Sequence, residues 1–292
     1  MEDSKADNKK DGPAWREQDS LLGKISDVDV LPGTPFDPTS AYALIARDWQ
    51  NWDNAVKPKV YVVGISGGVD SSTVAALACK IFGKDRVVGV SMPCDGQKDM
   101  WAVDLLFKTL GIKRIDIDIG DMFANLKQKL ENNCLETTDD MKTNAPARLR
   151  MTTLFAVGQS VGGVVVNTCN YSESCQGYDT LFGDDCGSYA PIQDLVKTEV
   201  KALAAWLGLP DELANKTPID GLQPLTDEEK LGITYADLDA FIRGTRDVGI
   251  ALEAQILQRY ARNKFKMDIV RLPGPKFNHM RNRIREIMEQ KI

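Results

Sequence analysis

Hydrophobic and polar positions along the chain follow two alternating patterns. Short apolar runs rich in Val and Ile, typical of buried strands, occur at about 60–65, 86–92, 114–118 and 163–167. Segments with apolar residues at helical spacing lie between them, at about 69–82, 97–110, 121–132 and 144–160. Strands that alternate with helices predict a parallel sheet with its ligand site at the carboxyl ends of the strands. We therefore expect an α/β fold with a Rossmann-like open parallel sheet flanked by helices.

Helical patterns also precede and follow this region. Asp37 and Pro38 suit the N-cap and the first turn of a helix that runs to about residue 54. A helical C-terminal extension is predicted from amphipathic segments at about 195–207, 234–243, 248–262 and 277–289. The intervening stretches 168–190 and 216–232 are polar and loop-like.

Composition narrows the class of protein. Ten of the first 20 residues are charged, which predicts a disordered leader over 1–20 and one domain over 21–292. The sequence has neither a signal peptide nor an apolar run of membrane-spanning length, so we expect a cytoplasmic protein without a membrane partner. The net charge of −6 argues against nucleic acid as a partner. His279 is the only histidine and no Cys-x-x-Cys occurs, which argues against a zinc site or a histidine-based dyad, and the six cysteines are expected to be reduced.

Residues 60–72 combine a strand, a glycine turn and a helix start. The apolar run leads into Ser66-Gly67-Gly68-Val69-Asp70-Ser71-Ser72, and helical positions follow at once. Such a turn directs backbone N–H groups and the positive end of the helix dipole at one point, where phosphate oxygens are held. No Lys follows the glycines, so this is not the Walker loop, and Asp70 suits Mg²⁺ instead. The alternative is a glycine turn that only packs a helix against a strand.

A second polar group follows the 163–167 strand at the same predicted edge of the sheet. It contains Thr168, Asn170, Glu173 and Asp184, and Lys197 lies further along the chain. Carboxylates from neighbouring strand ends can share one Mg²⁺ over a triphosphate, and a lysine adds a point charge. Solvated connecting loops are the alternative interpretation of the same residues.

These segments resemble two related groups of enzymes. The pattern Ser-Gly-Gly-x-Asp-Ser resembles the pyrophosphate loop of the N-type ATP pyrophosphatases, which cleave ATP between its α and β phosphates. A longer match, over roughly 55–275, is to the ammonia-dependent NAD synthetases. It is carried by Asn144-Ala-Pro-Ala-Arg148-Leu-Arg150-Met151, Thr168-Cys-Asn-Tyr-Ser-Glu173, Phe182-Gly183-Asp184, Leu195-Val-Lys197 and Asn263-Lys-Phe-Lys266.

The resemblance implies a ligase that makes NAD from deamido-NAD, ATP and free ammonia through an adenylated intermediate, with Mg²⁺ as cofactor and a homodimer as the assembly. Asp70 and Glu173 would bind the metal, and together with Lys197 and Asp184 they would be catalytic. Asp184 would also help to take a proton from ammonia. The implied residues for ATP and pyrophosphate are Gly64, Ser66, Gly67, Gly68, Val69, Asp70, Ser71, Ser72, Gln97, Thr168 and Lys197. Those for deamido-NAD are Arg148, Asp184, Phe265 and Lys266.

The chain also departs from the family pattern. Leu181, Ser188 and Ile219 stand where the family commonly has Lys, Asp and Thr, and Met267 replaces an Arg. Most of these positions belong to the dinucleotide side of the family's site. Two alternatives therefore stay open: an ATP pyrophosphatase that adenylates a different acceptor, and a nucleotide-binding protein without turnover.

Overall fold

The structure is a computed structural model that describes residues 35–94, 100–216, 226–269, 272–277, 280 and 282–289. The predicted leader over 1–20, Gln97, Ile219 and His279 lie outside the described residues. The strands are β1 (Tyr61–Gly64), β2 (Val87–Ser91), β3 (Lys113–Asp116) and β4 (Val164–Val166). They form a parallel sheet in the order β3-β2-β1-β4, in which Tyr61 pairs with Val87 on one side and Val164 on the other. The α/β prediction is confirmed.

Helices cover both faces of the sheet and form the C-terminal part. Before β4 they are α1 (Pro38–Val56), α2 (Val69–Phe82), α3 (Met100–Leu110), α4 (Gly120–Asn132) and α5 (Asp139–Val161). After β4 they are α6 (Tyr171–Gln176), α7 (Lys197–Trp206), α8 (Asp211–Ala214), α9 (Asp227–Leu231), α10 (Tyr235–Arg243), α11 (Ile250–Ile269) and α12 (Arg283–Glu289). A 3-10 turn, Lys84–Arg86, precedes β2. No helix in the described ranges has the length and apolar character needed to cross a membrane.

Strand β1 lies at the centre of the packing. On one face, Trp49 of α1 stacks on Tyr189 with ring centroids 4.9 Å apart and meets the ring of Tyr61 edge-on. On the other face, Val62 packs in a smaller cluster with Val157 of α5. Because apolar side chains hold β1 from both sides, the loop that follows it starts from a rigid base.

The first predicted helix begins as expected, but α5 is longer at its start. Asp37 accepts hydrogen bonds from the backbone N–H groups of Thr39 and Ser40, with Pro38 in the first turn. Helix α5 begins at Asp139 rather than near residue 144, because the Thr138 side chain caps it by accepting from the Met141 N–H. Residue 144 therefore lies within the helix, not at its start.

Two stretches predicted as loops contain helices. Within 168–190, Asn170 caps α6 through a bond from the Glu173 N–H. Within 216–232, the Thr226 and Glu229 side chains cap α9 reciprocally. Both helices are a turn or two long, so caps identify them and hydrophobic periodicity does not.

The predicted last helix over 277–289 is wrong in its first half. Of the residues that the structure describes there, Arg283–Glu289 are helical, whereas Phe277, Met280 and Asn282 are not. Phe277 packs in the same core as α1 and α7, whereas Ile284 packs with α6, α10 and α11 in a second core. The apolar residues of this segment share a helical spacing but pack in two different cores. One continuous helix would not place them in both. Helix α11, by contrast, extends to Ile269, beyond the predicted end near residue 262.

Candidate functional site

The turn between β1 and α2 is a compact loop tied by its own serines. Gly67 has a φ of 79°, which favours glycine, and Gly68 is the N-cap of α2. The Gly68 N–H donates to the Ser66 Oγ at 3.2 Å, and the Ser66 and Ser71 Oγ atoms are 3.2 Å apart. The loop thus sits at the positive end of a helix and offers N–H and hydroxyl groups, which is the chemistry of a phosphate site.

A buried lysine joins the two predicted metal ligands. Lys197 Nζ lies 2.7 Å from Asp70 Oδ2 and 2.6 Å from Glu173 Oε1, and the Lys197 side chain is 2% exposed. Burial lowers the pKa of Lys197, but the two carboxylates outweigh it, so the net pKa is raised and the ammonium stays charged. Burial raises the pKa of Glu173, and the nearby Asp70 adds to that rise. The group is a closed ion triad beside the phosphate loop.

Helix caps fix the geometry of this triad. Asn170 caps α6 with its Oδ1 and donates from its Nδ2 to Asp70 Oδ1 at 2.9 Å. Asp239 of α10 accepts from the Ser172 Oγ at 2.5 Å and from the Thr198 N–H at 2.7 Å. The Ser172 Oγ in turn accepts from the Lys197 N–H. The starts of α2, α6 and α7 therefore meet through side chains whose positions are set by backbone N–H groups.

The opposite end of the site is acidic. Lys266 Nζ binds Asp179 Oδ1 at 3.1 Å and also contacts the backbone carbonyls of Gly177 and Asp179. Asp184 accepts from the Thr180 N–H at 2.8 Å, and desolvation raises its pKa. Burial, with Asp179 and Asp184 close by, raises the pKa of Asp185 to about 7. Carboxyls with raised pKa values are suited to proton transfer near neutral pH.

One cavity of about 530 Å³ connects the loop, the triad and the acidic end. Most of the predicted site residues line it, namely Gly64, Ser66, Gly68, Val69, Asp70, Ser71, Thr168, Glu173, Asp184, Lys197 and Lys266. Gly67 and Ser72 are not among its lining residues, and the buried Ser72 donates to the Gly68 carbonyl at 2.8 Å. Arg148 and Phe265 are also outside the lining and are exposed. Gln97 falls outside the described residues.

Several lining residues were not assigned a role from the sequence. Arg150 and Asn144 project from α5, and Asp227 accepts from the Tyr178 hydroxyl at 3.1 Å. Lys216 donates to the Gly67 carbonyl at 3.1 Å. The sequence did contain a signal for the residues of α5. Spacings of three and four place five of them on one helix face that lines the cavity, namely Asn144, Ala147, Arg150, Met151 and Leu154.

The fold and the site together define an α/β protein of the ATP pyrophosphatase class. Its phosphate loop follows a central parallel strand, and the neighbouring strand end supplies a carboxylate and, further along, a lysine. A sequence model of the NAD synthase family matches residues 51–269. The chain belongs to that family, and the resemblance found in the sequence is confirmed.

Individual relatives agree with this assignment. The chain is 41% identical to an NH(3)-dependent NAD(+) synthetase of Pyrococcus horikoshii over 195 residues, which are 66% of this chain and 74% of that protein. Among solved structures, an NMN synthetase from Francisella tularensis superposes with a TM-score of 0.73 at 30% identity, over 80% of this chain and 96% of that one. An NH3-dependent NAD synthetase from Campylobacter jejuni gives a TM-score of 0.65 at 26% identity, over 80% and 97% of the two chains.

Proposed function

We propose that this protein is a ligase that forms NAD from deamido-NAD, ATP and ammonia, releasing AMP and pyrophosphate. The observation that carries the proposal is the triad of Lys197 with Asp70 and Glu173 beside the phosphate loop. It would keep charged groups in place for a triphosphate. Membership of the NAD synthase family gives the acceptor.

The first step is adenylation of the acceptor. A carboxylate oxygen of the nicotinate group attacks the α-phosphorus of ATP, the bond to the β-phosphate oxygen breaks, and pyrophosphate leaves on the glycine-serine loop. Ser66, Gly68 and Ser71 would hold the departing oxygens, and Lys197 would offset charge between Asp70 and the phosphates. The chain supplies alignment and electrostatic stabilisation here and no covalent nucleophile.

The second step consumes ammonia. Its nitrogen attacks the carbonyl carbon of the acyl-adenylate, the bond to the AMP oxygen breaks, and a proton leaves the nitrogen. Asp184 would accept that proton, which its raised pKa supports. Lys266, held by Asp179, would border the acceptor at this end of the cavity, with Arg148 and Phe265 at its rim.

Asp70 and Glu173 would hold Mg²⁺. They are hard oxygen ligands that meet at the edge of the cavity, beside the phosphate loop. Such a donor set suits Mg²⁺, which is bound through one or two carboxylates together with substrate phosphates. When bound, the ion would neutralise charge on the triphosphate and its leaving group.

We also propose a homodimer. Helix α4 supports this, since Gly120 is its only buried residue while Met122, Phe123, Leu126 and Leu130 form a partly open apolar face. Surfaces of this kind favour association. Sedimentation should give twice the mass of the 32.3 kDa chain.

A mononucleotide acceptor is the second candidate. The similarity to the Francisella tularensis NMN synthetase favours it, and Leu181 and Ser188 stand on the dinucleotide side where charged residues are usual. In this reaction the same atoms would react, and only the part of the acceptor beyond the first ribose would differ.

Purified protein tests these proposals in one assay. With ATP, Mg²⁺, ammonium and deamido-NAD, we expect equal amounts of AMP, pyrophosphate and NAD. A higher kcat/KM with nicotinate mononucleotide would establish the second candidate. Cleavage of ATP that needs neither acceptor would point to another pyrophosphatase substrate, and tight ATP binding without AMP release would refute catalysis.

A further inference from the structure

We propose that Arg150 is a catalytic residue that binds the α-phosphate of ATP during adenylation. The inference rests on the proposed function for its reaction. The sequence assigned no role to Arg150. With Arg150 on the α-phosphate, one part of the cavity would hold pyrophosphate and another part would hold the phosphorus under attack.

Among the residues that the structure describes, Arg150 has no anionic partner. Its Nε donates to the Met92 carbonyl at 3.0 Å, and among the described residues this is its only hydrogen bond. It forms no ion pair with any carboxylate in the described ranges, although it is half-buried on the cavity wall. A guanidinium has five N–H donors, so the two terminal nitrogens are left for a ligand.

The neighbouring arginine on the same helix behaves differently. Arg148 is exposed, and its Nε donates to the Leu181 carbonyl at 3.3 Å. A half-buried guanidinium is costly unless an anion compensates it, whereas an exposed one is solvated. The cost at Arg150 therefore points to an anionic ligand in the cavity.

The position of Arg150 in the cavity indicates which anion it binds. The Nε bond fixes Arg150 to Met92, which follows β2, while the phosphate loop follows the adjacent strand β1. Arg150 and Asp184 line the same cavity, and although burial lowers the pKa of Arg150 overall, Asp184 is close enough to raise it. In the proposed reaction pyrophosphate would leave on the loop and the acceptor would lie at the Asp184 end, so the α-phosphate would lie between them, at the part of the cavity wall that includes Arg150. A planar guanidinium can bind two phosphate oxygens at once.

The role follows from the chemistry of the step. When the nicotinate oxygen approaches the α-phosphorus, two anions meet, and negative charge gathers on the equatorial oxygens as the bond to pyrophosphate breaks. Arg150 would reduce that repulsion without giving or taking a proton. Its effect should fall on adenylation and not on the later attack by ammonia.

Product binding tests the assignment without turnover. Titration calorimetry with Mg²⁺ would compare AMP, adenosine and pyrophosphate on wild type, Arg150→Gln, Arg150→Lys and the exposed control Arg262→Gln. We expect Arg150→Gln to weaken AMP binding about 10- to 100-fold, the usual range for a charge-assisted hydrogen bond. Adenosine and pyrophosphate affinities should stay within about 2-fold, Arg150→Lys should be intermediate, and Arg262→Gln should match wild type.

Each other outcome has a definite meaning. Unchanged AMP binding in folded Arg150→Gln would overturn the inference, as would an equal loss for pyrophosphate or for adenosine. If thermal melting shows that Arg150→Gln does not fold, Arg150→Lys decides, because it keeps the charge but loses the planar pair of donors. Kinetics test the same point. In Arg150→Gln the rate of ATP–pyrophosphate exchange should fall, while the KM for ammonium in the complete reaction should stay the same. If Arg150→Gln loses AMP binding but the wild-type protein makes no NAD, deamido-NAD is not the acceptor, and the assignment of Arg150 to the α-phosphate still holds.

Discussion

Replacing Lys197 with Met should separate what the triad does for stability from what it does for catalysis. The substitution keeps the length of the side chain and removes its charge, leaving Asp70 and Glu173 without the ammonium that lies 2.7 and 2.6 Å from them. Both carboxylates are about 15% exposed, so water compensates little. Breaking a buried ion pair at one partner costs about 3–5 kcal/mol, and we expect about 3 kcal/mol here.

A second variant isolates the electrostatic part of that loss. Lys197→Met combined with Glu173→Gln removes one of the two facing carboxylates, so it should recover about half of the lost stability, a coupling within the usual range for contacting residues. Adenylation should stay at least about 100-fold below wild type in both variants, because the charge stabilisation is gone. Lys201→Met, one turn further along α7, is the matched control and should stay within about 0.5 kcal/mol of wild type.

Urea unfolding followed by tryptophan fluorescence measures the first effect, and ATP–pyrophosphate exchange measures the second. The Lys197→Met deficit should also grow as pH rises above 8. Burial and Asp70 raise the folded-state pKa of wild-type Glu173 to about 8 although Lys197 lowers it, so up to that pH both proteins lose stability equally. Without Lys197 that pKa lies higher still, so the stability of the variant keeps falling where that of wild type levels off. A variant as stable as wild type, or a double variant no better than the single one, would contradict the buried triad.

Four further substitutions test the site and its support. Asp70→Asn should reduce the adenylation rate over about 100-fold in a protein that still folds, and a rate equal to wild type would remove Asp70 from the metal site. Gly177→Ala should cost about 2 kcal/mol, because Gly177 has a φ of +67° and a Cβ there would lie 2.3 Å from Asn263. Gly232→Ala, at φ +62° with nothing within 4 Å, should cost only about 1 kcal/mol, and equal losses would count against the clash. Burial raises the pKa of Asp239 to about 6, so wild-type stability should fall between pH 4 and 6; the stability gap to Asp239→Asn should narrow there by roughly 2–3 kcal/mol, and a constant gap would exclude that shift.

The parallel sheet and its loop were predictable because each has a strong local signal. Apolar runs of strand length alternate with helical spacing, and the glycines of the loop stand between a strand and a helix. The meeting of Asp70 with Glu173 followed from topology alone, since β1 and β4 are neighbours and their carboxyl ends share an edge. Long-range assembly of the site therefore needed only the strand order.

The wrongly predicted elements are those whose structure does not depend on apolar spacing alone. Helices α6 and α9 are held by caps from Asn170 and Thr226, which a search for apolar periodicity does not detect. The segment from Phe277 to Met288 shows the opposite fault: its spacing looks continuous, yet its apolar side chains belong to two cores. Which core an apolar side chain joins depends on tertiary packing, and the local sequence does not contain that information.

The charges of the cavity explain how a loop with an aspartate can serve a triphosphate. Each described lysine that lines it already has a protein acceptor: Lys197 has two carboxylates, Lys266 has Asp179, and Lys216 has the Gly67 carbonyl. The charges of Lys197 and Lys266 are therefore offset by carboxylates, while Lys216 keeps its charge because a carbonyl is neutral, and Asp70 adds a negative charge next to the loop. Backbone N–H groups, the start of α2 and Arg150 supply part of the compensation. Mg²⁺ on Asp70 and Glu173 would supply the rest, so ATP should bind far more weakly without Mg²⁺, while adenosine, which carries no phosphate, should bind equally well with and without it.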